Sequence, residues 1–314
     1  MAFKVVSKNY LFGQGRSRWA PLLLLLPGFG LYLLIAFGPS LATAVYSFTD
    51  ASGVRGSPIN WIGLENYEEF LFRGLSSRDN LAAIQRTLIF MVVVTTVQFT
   101  LGLILAVILN QKLRGRTFFR TLFFIPVILG VVIQGLMWKL FLFPGGGPVA
   151  EAFGWIGLQS EFFGGAPAEA FTWVMVVQIW ANVGITMMIF LAGMQTIDET
   201  LYEAARIDGA GGWSLFKSIT WPQLTPAINT NFLLNVIGSL QAWQLFLVTV
   251  GYKEGTQVLA YEIFAQGFGQ TGGVSAPFRQ GFAAAASIVL FLLVLVLGMS
   301  ANRFVQWRER RYLG

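Results

Sequence analysis

Six stretches of this chain carry no charged side chain: Trp19–Thr49, Thr87–Gln111, Thr121–Trp138, Ala170–Ile197, Ser218–Tyr252 and Gln280–Asn302. A helix needs about 20 mainly apolar residues to cross the hydrocarbon of a bilayer. Each stretch reaches or nearly reaches that length, the third by running on through Lys139 to Phe143. Only helices or closed barrels satisfy the backbone within lipid, so six helical spans are expected. Their expected bounds are 20–48, 86–111, 119–143, 170–195, 224–250 and 280–303, inside a membrane domain of 19–304. The charge-free stretch Ile263–Phe278 is rich in Gly and Gln and does not read as a span.

Composition agrees with lipid as the solvent. The 314 residues are 11% charged and 55% hydrophobic, where soluble domains carry roughly a quarter charged residues. There is no Cys and no His, which removes disulfides, thiolate or imidazole metal sites, and His-dependent catalysis. The net charge of +6 is not gathered into a basic block interleaved with exposed aromatics, so nucleic acid is not an expected partner.

Direction follows from Lys and Arg in the flanks. The N-terminal segment 1–18 has Lys4, Lys8, Arg16 and Arg18 without an acid, the connection at 112–120 has Lys112, Arg114, Arg116 and Arg120, and the 305–314 tail is basic. The connection Pro144–Glu169 has three acids and no base. Both termini are therefore expected in the cytoplasm. A cleaved signal peptide is the rival reading of the first stretch, with Ala42 and Ala44 in the right pattern. The stretch is long for a signal core, and its removal would leave five spans with mismatched ends.

The cytoplasmic connection 196–222 is unlike the others. Thr196 and Glu199 are spaced as a capping box, or Asp198 caps instead. A short amphipathic helix carrying Leu201, Ala204 and Ala205 is expected to stop at Asp208 and Gly209. A second helix from about Trp213 is expected to run until Pro222 interrupts it. On the residues alone this helix–turn–helix is either a docking site or an interfacial loop that tidies helix ends.

The series Glu203-Ala204-Ala205, then Gly209, Ile219 and Trp221-Pro222 resembles the EAA loop of ATP-binding-cassette (ABC) importer permeases. Trp221 alone departs, standing where leucine is usual. The likeness continues outside the loop: Tyr46–Thr49 with Ile62–Tyr67 resembles the opening of maltose-type and glycerol-phosphate-type permeases, the first of the permease pair, and Arg120–Pro126 and Leu191–Gln195 follow in family order. The chain is thus identified as resembling the carbohydrate-uptake permeases. The resemblance implies an all-α polytopic membrane protein of the type I ABC importer permease fold, in the bacterial inner membrane. It implies a second related permease chain, two ATPase subunits and an extracytoplasmic solute-binding protein as partners, with a sugar or similar polar solute as cargo. No Lys follows a Gly, so the chain has no P-loop; ATP and Mg are expected on the partner ATPase, none on this chain, which is a translocation subunit and not an enzyme. Coupling to the ATPase is expected at Glu203, Ala204, Ala205, Asp208, Gly209, Ile219 and Pro222.

Polar groups within spans usually face a partner or a cavity. Gln178 and Asn182 share one face of the fourth span; Asn231, Asn235 and Ser239 share one in the fifth, with Gly238, Gln241 and Trp243 close by. Amides, hydroxyls and an aromatic platform suit a sugar, and the resemblance places Asn182, Asn235, Gly238, Ser239 and Ala242 at solute-site positions. The same residues also suit hydrogen bonds from helix to helix. The outward stretches Phe143–Pro148 and after Gly251 are either docking surfaces for the binding protein or solvated loops. Spans without acids, His or Cys exclude a membrane enzyme, and the lack of buried charges or repeats disfavours a secondary transporter or channel. A non-sugar solute, such as glycerol phosphate or an amino acid, is the remaining alternative.

Overall fold

The computed structural model describes residues 20–111, 113–157, 161–271, 274–275 and 278–312. Lys4, Lys8, Arg16, Arg18 and Lys112 lie outside them. The order of helices is α1 (Ala20–Tyr32), a π-helical turn (Leu33–Phe37), α2 (Gly38–Tyr46), α3 (Glu65–Phe72), α4 (Gly74–Asn110), α5 (Arg116–Ile128), α6 (Val131–Phe141), α7 (Pro148–Trp155), α8 (Pro167–Gln195) and α9 (Glu199–Ile207). There follow α10 (Gly212–Leu215), a second π-helical turn (Phe216–Thr220), α11 (Trp221–Gln223), α12 (Thr225–Leu240), α13 (Gln244–Thr249), α14 (Leu259–Phe268) and α15 (Gln280–Tyr312). A two-residue antiparallel pairing, Gln270–Thr271 with Val274–Ser275, joins α14 to α15.

Among the described residues four helices are long and apolar enough to cross a membrane: Leu23–Tyr46, Arg78–Asn110, Pro167–Gln195 and Gln280–Arg303. The expected third span differs, because α5 and α6 meet at 105°. Pro126 sits in the last turn of α5, where its ring and missing N–H weaken the helix. The side-chain amide of Gln134 then donates to the Pro126 and Leu129 carbonyls at 2.7 and 2.9 Å, capping the broken end from the next helix. The expected fifth span is interrupted too: α12 stops at Leu240, and α13 restarts after a three-residue break.

Helix α4 packs most extensively on α8, and α12 lies against both. Small residues close these contacts, as van der Waals packing requires where lipid offers no hydrophobic driving force. A methyl on Gly184 of α8 would sit 2.1 Å from the Phe123 carbonyl oxygen of α5, and one on Gly102 of α4 would sit 2.5 Å from Cγ2 of Thr186. Aromatic side chains fill the end of the bundle near α13, where Phe90, Phe171 and Phe246 meet ring to ring at 5.3–5.9 Å.

By contrast, side chains 23–42 of the first apolar helix are exposed throughout. Its end is tied back by polar groups: Asn66 Nδ2 donates to the Ser47 and Thr49 carbonyls, both at 2.9 Å, and the Tyr67 hydroxyl donates to Ser47 Oγ at 2.7 Å. The two opening motifs of the sequence, 46–49 and 62–67, therefore meet in space. On the same side of the bundle Lys253 Nζ donates to the Gly164 carbonyl at 2.8 Å and to that of Gly165, so the connections after α7 and α13 are joined rather than loose.

Gly184→Ala should cost about 1–3 kcal/mol, because the obstacle is backbone and cannot swing aside. A thermal midpoint in detergent should fall for Gly184→Ala and hold for Gly298→Ala, where no atom lies within 4 Å. Equal midpoints would show that the α5–α8 contact is not close-packed.

Candidate functional site

The connection between α8 and α12 carries two short helices, α9 and α10, separated by the turn at Gly209. Asp198, not the Thr196–Glu199 box, caps α9: its carboxylate accepts from the Thr200 N–H at 2.9 Å. That backbone donor, which is the largest influence on it, holds the Asp198 carboxyl below the ordinary aspartate range. Thr196 instead donates its hydroxyl back to the Gly193 carbonyl at 2.8 Å. At the other end Gly209 takes φ +82°, and the Ala210 N–H reaches the Ala205 carbonyl at 2.9 Å. A residue with Cβ would be strained in that left-handed position.

The second arm does not stop at Pro222. The π turn Phe216–Thr220 widens the backbone before it, so Pro222 enters the first turn of α11, where no N–H is needed. Tyr202 and Thr220 join the two arms hydroxyl to hydroxyl at 2.9 Å.

Glu203, Ala204, Asp208 and Gly209 are exposed, while Ala205, Ile219 and Pro222 are half-buried. Glu203 and Asp208 make no ion pair among the described residues. Ile207 and Trp213 stand 87% and 76% exposed at the same turn. Bare carboxylates, a small-residue face and large apolar side chains left uncovered form a surface suited to a protein partner. Behind it a cleft of about 770 Å³ runs between Glu199, Glu203 and Arg206 and the far end of α4 at Asn110 and Gln111.

The intramembrane polar residues divide into groups. Asn235 and Ser239 are buried in a seam shared by three helices. Gln98 Nε2 of α4 donates to Asn235 Oδ1 at 2.8 Å and to Thr186 Oγ1 of α8 at 3.0 Å. Asn231 donates to the Thr186 carbonyl at 3.2 Å, and the hydroxyls of Thr95 and Ser239 meet at 3.2 Å. Asn235 Nδ2 is buried without a hydrogen-bond partner among the described residues. Gln178 and Asn182 form a half-buried pair on α8, the Asn182 amide donating to the Gln178 carbonyl at 3.0 Å. Gly238 and Gln241 lie on the exposed side of α12, and nothing stands within 4 Å of a methyl built on Gly238. Trp243 is apart from both, stacked on Phe264 of α14 at 4.4 Å.

Sequence reasoning passed over Thr95, Gln98 and Thr186. Gln98 carried a legible signal, being an amide inside a charge-free stretch; its partners did not, since periodicity assigns a face but not a neighbour.

A family model described as the binding-protein-dependent transport system inner membrane component matches residues 98–314. The chain is 30% identical over 306 residues to the trehalose/maltose transport system permease protein of Thermococcus litoralis, covering 94% of this chain and 98% of that one. It is 29% identical over 295 residues to the sn-glycerol-3-phosphate transport system permease protein of Agrobacterium fabrum, covering 92% and 95%. The fold matches a chain of a bacterial alginate ABC transporter, solved in complex with an alginate pentasaccharide-bound periplasmic protein, with a TM-score of 0.78 at 22% identity, covering 93% and 95%.

A double-mutant cycle of Gln98→Leu and Asn235→Leu should give a coupling of about 0.6 kcal/mol, the average for hydrogen bonds between membrane helices, and at most about 1.7 kcal/mol. Reversible unfolding in mixed detergent micelles reads it, and strict additivity would dissolve the seam.

Proposed function

The chain belongs to the family of binding-protein-dependent transport system inner membrane components and is a permease subunit of an ABC transporter, a translocation component rather than an enzyme; from that premise we propose that it forms half of the path for a sugar or sugar-like solute. The observation that carries the coupling role is the exposed, self-capped α9, held between the two helices, α8 and α12, that share the Gln98 seam. In this reading Glu203, Ala204, Ala205, Asp208 and Gly209 sit in a groove of the ATPase, with Ile219 and Pro222 stiffening the return arm. ATP and Mg belong to two ATPase subunits. Their closure moves α9, which favours a different arrangement of α8 and α12; the coupling is a difference in binding free energy between the two states.

Six spans with both termini in the cytoplasm follow if α5 with α6, and α12 with α13, each count as one interrupted span. Interrupted helices suit a cavity-lining role, where backbone groups freed from the helix meet water or solute. Gly238 and Gln241 on the open side of α12 then face a second, related permease chain, with Gln178 and Asn182 beside them. Asn235 and Ser239 join the path as the seam opens, and Trp243 flanks it from the break between α12 and α13. The joined connections at Gly164–Gly165 and Lys253 face the extracytoplasmic solute-binding protein. A relative that carries trehalose or maltose supports the sugar; a relative that carries glycerol phosphate keeps that solute as the second reading.

The test is ATP hydrolysis by the chain co-purified with its genomic neighbours in nanodiscs, against sugars, glycerol phosphates and amino acids. One sugar plus its binding protein should stimulate hydrolysis, and Gly209→Trp should remove at least nine-tenths of that stimulation. Absence of any co-purifying ATPase from folded protein would overturn the coupling role. In proteoliposomes, Asn182→Leu combined with Asn235→Leu should lower uptake at least tenfold; uptake at the unaltered rate would remove these residues from the path.

A further inference from the structure

A second polar cavity, of about 440 Å³, opens near the start of α4, with walls from α4, the loop after α13, α14 and the first turn of α15. Arg86 in its wall and Asn110 in the α9 cleft lie on one helix, roughly 36 Å apart at 1.5 Å per residue. That is about the thickness of a bilayer core, so the two hollows occupy opposite faces. Roughly 18 Å of the same helix separates Arg86 from Gln98 and the seam.

The cavity holds opposite charges that do not close on each other. Arg86 Nε donates to the Gln257 carbonyl at 2.7 Å, and Glu262 accepts from Gln266 Nε2 at 2.8 Å. Each is held by its own neighbour, and among the described residues no ion pair joins them. Burial, the largest influence, pushes the Glu262 carboxyl up. The Tyr252 hydroxyl has no hydrogen bond among the described residues. Gln257 is only 4% exposed, and its Nε2 has no partner among the described residues. A buried donor left unmatched costs about 1–3 kcal/mol, which a ligand hydroxyl reaching Gln257 would recover.

The set is neither an anion site, because Asp79, Glu254 and Glu262 line it, nor a cation site, because Arg86 and Arg279 do. Guanidinium, carboxyl, amide and phenol groups line one space, with Arg279 held by an ion pair to Glu69, and with Arg86, Glu262 and Tyr252 left facing it. A sugar ring answers that mixture of donors and acceptors, since each hydroxyl both donates and accepts, and Phe282 closes one side beneath the Arg279 guanidinium, 4.2 Å from its ring. The volume falls within the roughly 300–1,000 Å³ of small-molecule sites. We propose that this cavity is a second sugar-binding site, at the outer mouth of the path and separate from the seam, which holds a sugar unit before it reaches α8 and α12. The proposal rests on the sugar reading above.

The complete importer in nanodiscs, without binding protein, is titrated with maltose, trehalose and lactose and followed by saturation-transfer NMR. The titration uses the Asn182→Leu background, which weakens the inner path and leaves the Gln98–Asn235 bond in place, so that the outer cavity is read. One sugar should still bind, and Gln257→Leu and Glu262→Gln should each raise its half-saturating concentration at least fivefold while the thermal midpoint holds. Absence of binding in that background, or half-saturation unmoved in both variants, overturns the cavity as a site. A lowered midpoint with unmoved half-saturation marks the two as packing residues and overturns it equally. Uptake by otherwise unaltered importer separates the two claims: if no sugar is taken up the sugar reading fails, whereas uptake without an effect of either variant sinks the cavity alone.

Discussion

Gln98 joins three helices with one amide, and the arrangement of the bundle depends on that junction. Its Nε2 reaches Asn235 on α12 and Thr186 on α8, while Thr95, one turn earlier, meets Ser239. Lipid provides no hydrophobic drive for these helices to associate, so hydrogen bonds and close packing at Gly102 and Gly184 must supply it. The two helices fixed to α4 in this way are the two that enter and leave the α9–α11 connection. Displacement at α9 is therefore delivered to a jointed set rather than to separate rods. The amide of Asn235 remains without a partner on its nitrogen among the described residues, which leaves the seam one bond short of saturation.

Pro126, Pro222 and Pro39 stand within apolar helices, and each is met locally. Gln134 caps the carbonyls freed beside Pro126. A π-helical turn precedes Pro222, and another precedes Pro39 in the first helix, each ending two residues before the ring. A wider turn gives room for the ring and removes the need for the missing N–H. At the bend between α5 and α6 two freed carbonyls are thus met by protein, as a helix break at membrane depth requires.

Much of this was legible in the residues. Four of the six charge-free stretches fall on helices long and apolar enough to cross a membrane, and the Gly209 position and the alternative Asp198 cap were readable because capping is a local affair of three or four residues. The 105° bend was not, because Leu129-Gly130 is as apolar as its surroundings and the compensating Gln134 acts from the next helix. Nor did Pro222 break its helix, since a π turn leaves no mark in composition. The polar residues of the fifth helix were found, but spacing alone could not separate the buried Asn235 and Ser239 from the open Gly238 and Gln241, which differ only in what α4 and α8 bring against them. Trp243 was grouped with them by sequence, yet stacks on a helix that begins 16 residues later.

On the proposed coupling role, α9 faces an ATPase in the cytoplasm while the connection after α6 faces out. Because the chain has no cysteine, one introduced thiol at a time reports its side without background. Ala204→Cys and Glu151→Cys, both at exposed positions, are treated in oriented membrane vesicles with a membrane-impermeant maleimide and then with a short bifunctional cross-linker. Ala204→Cys should be labelled from the cytoplasmic side alone, with a cross-link to an ATPase subunit that weakens or shifts on adding ATP, and Glu151→Cys should be labelled from the opposite side. Labelling of both from one side, or an Ala204→Cys thiol that never reaches an ATPase, would contradict the proposed role.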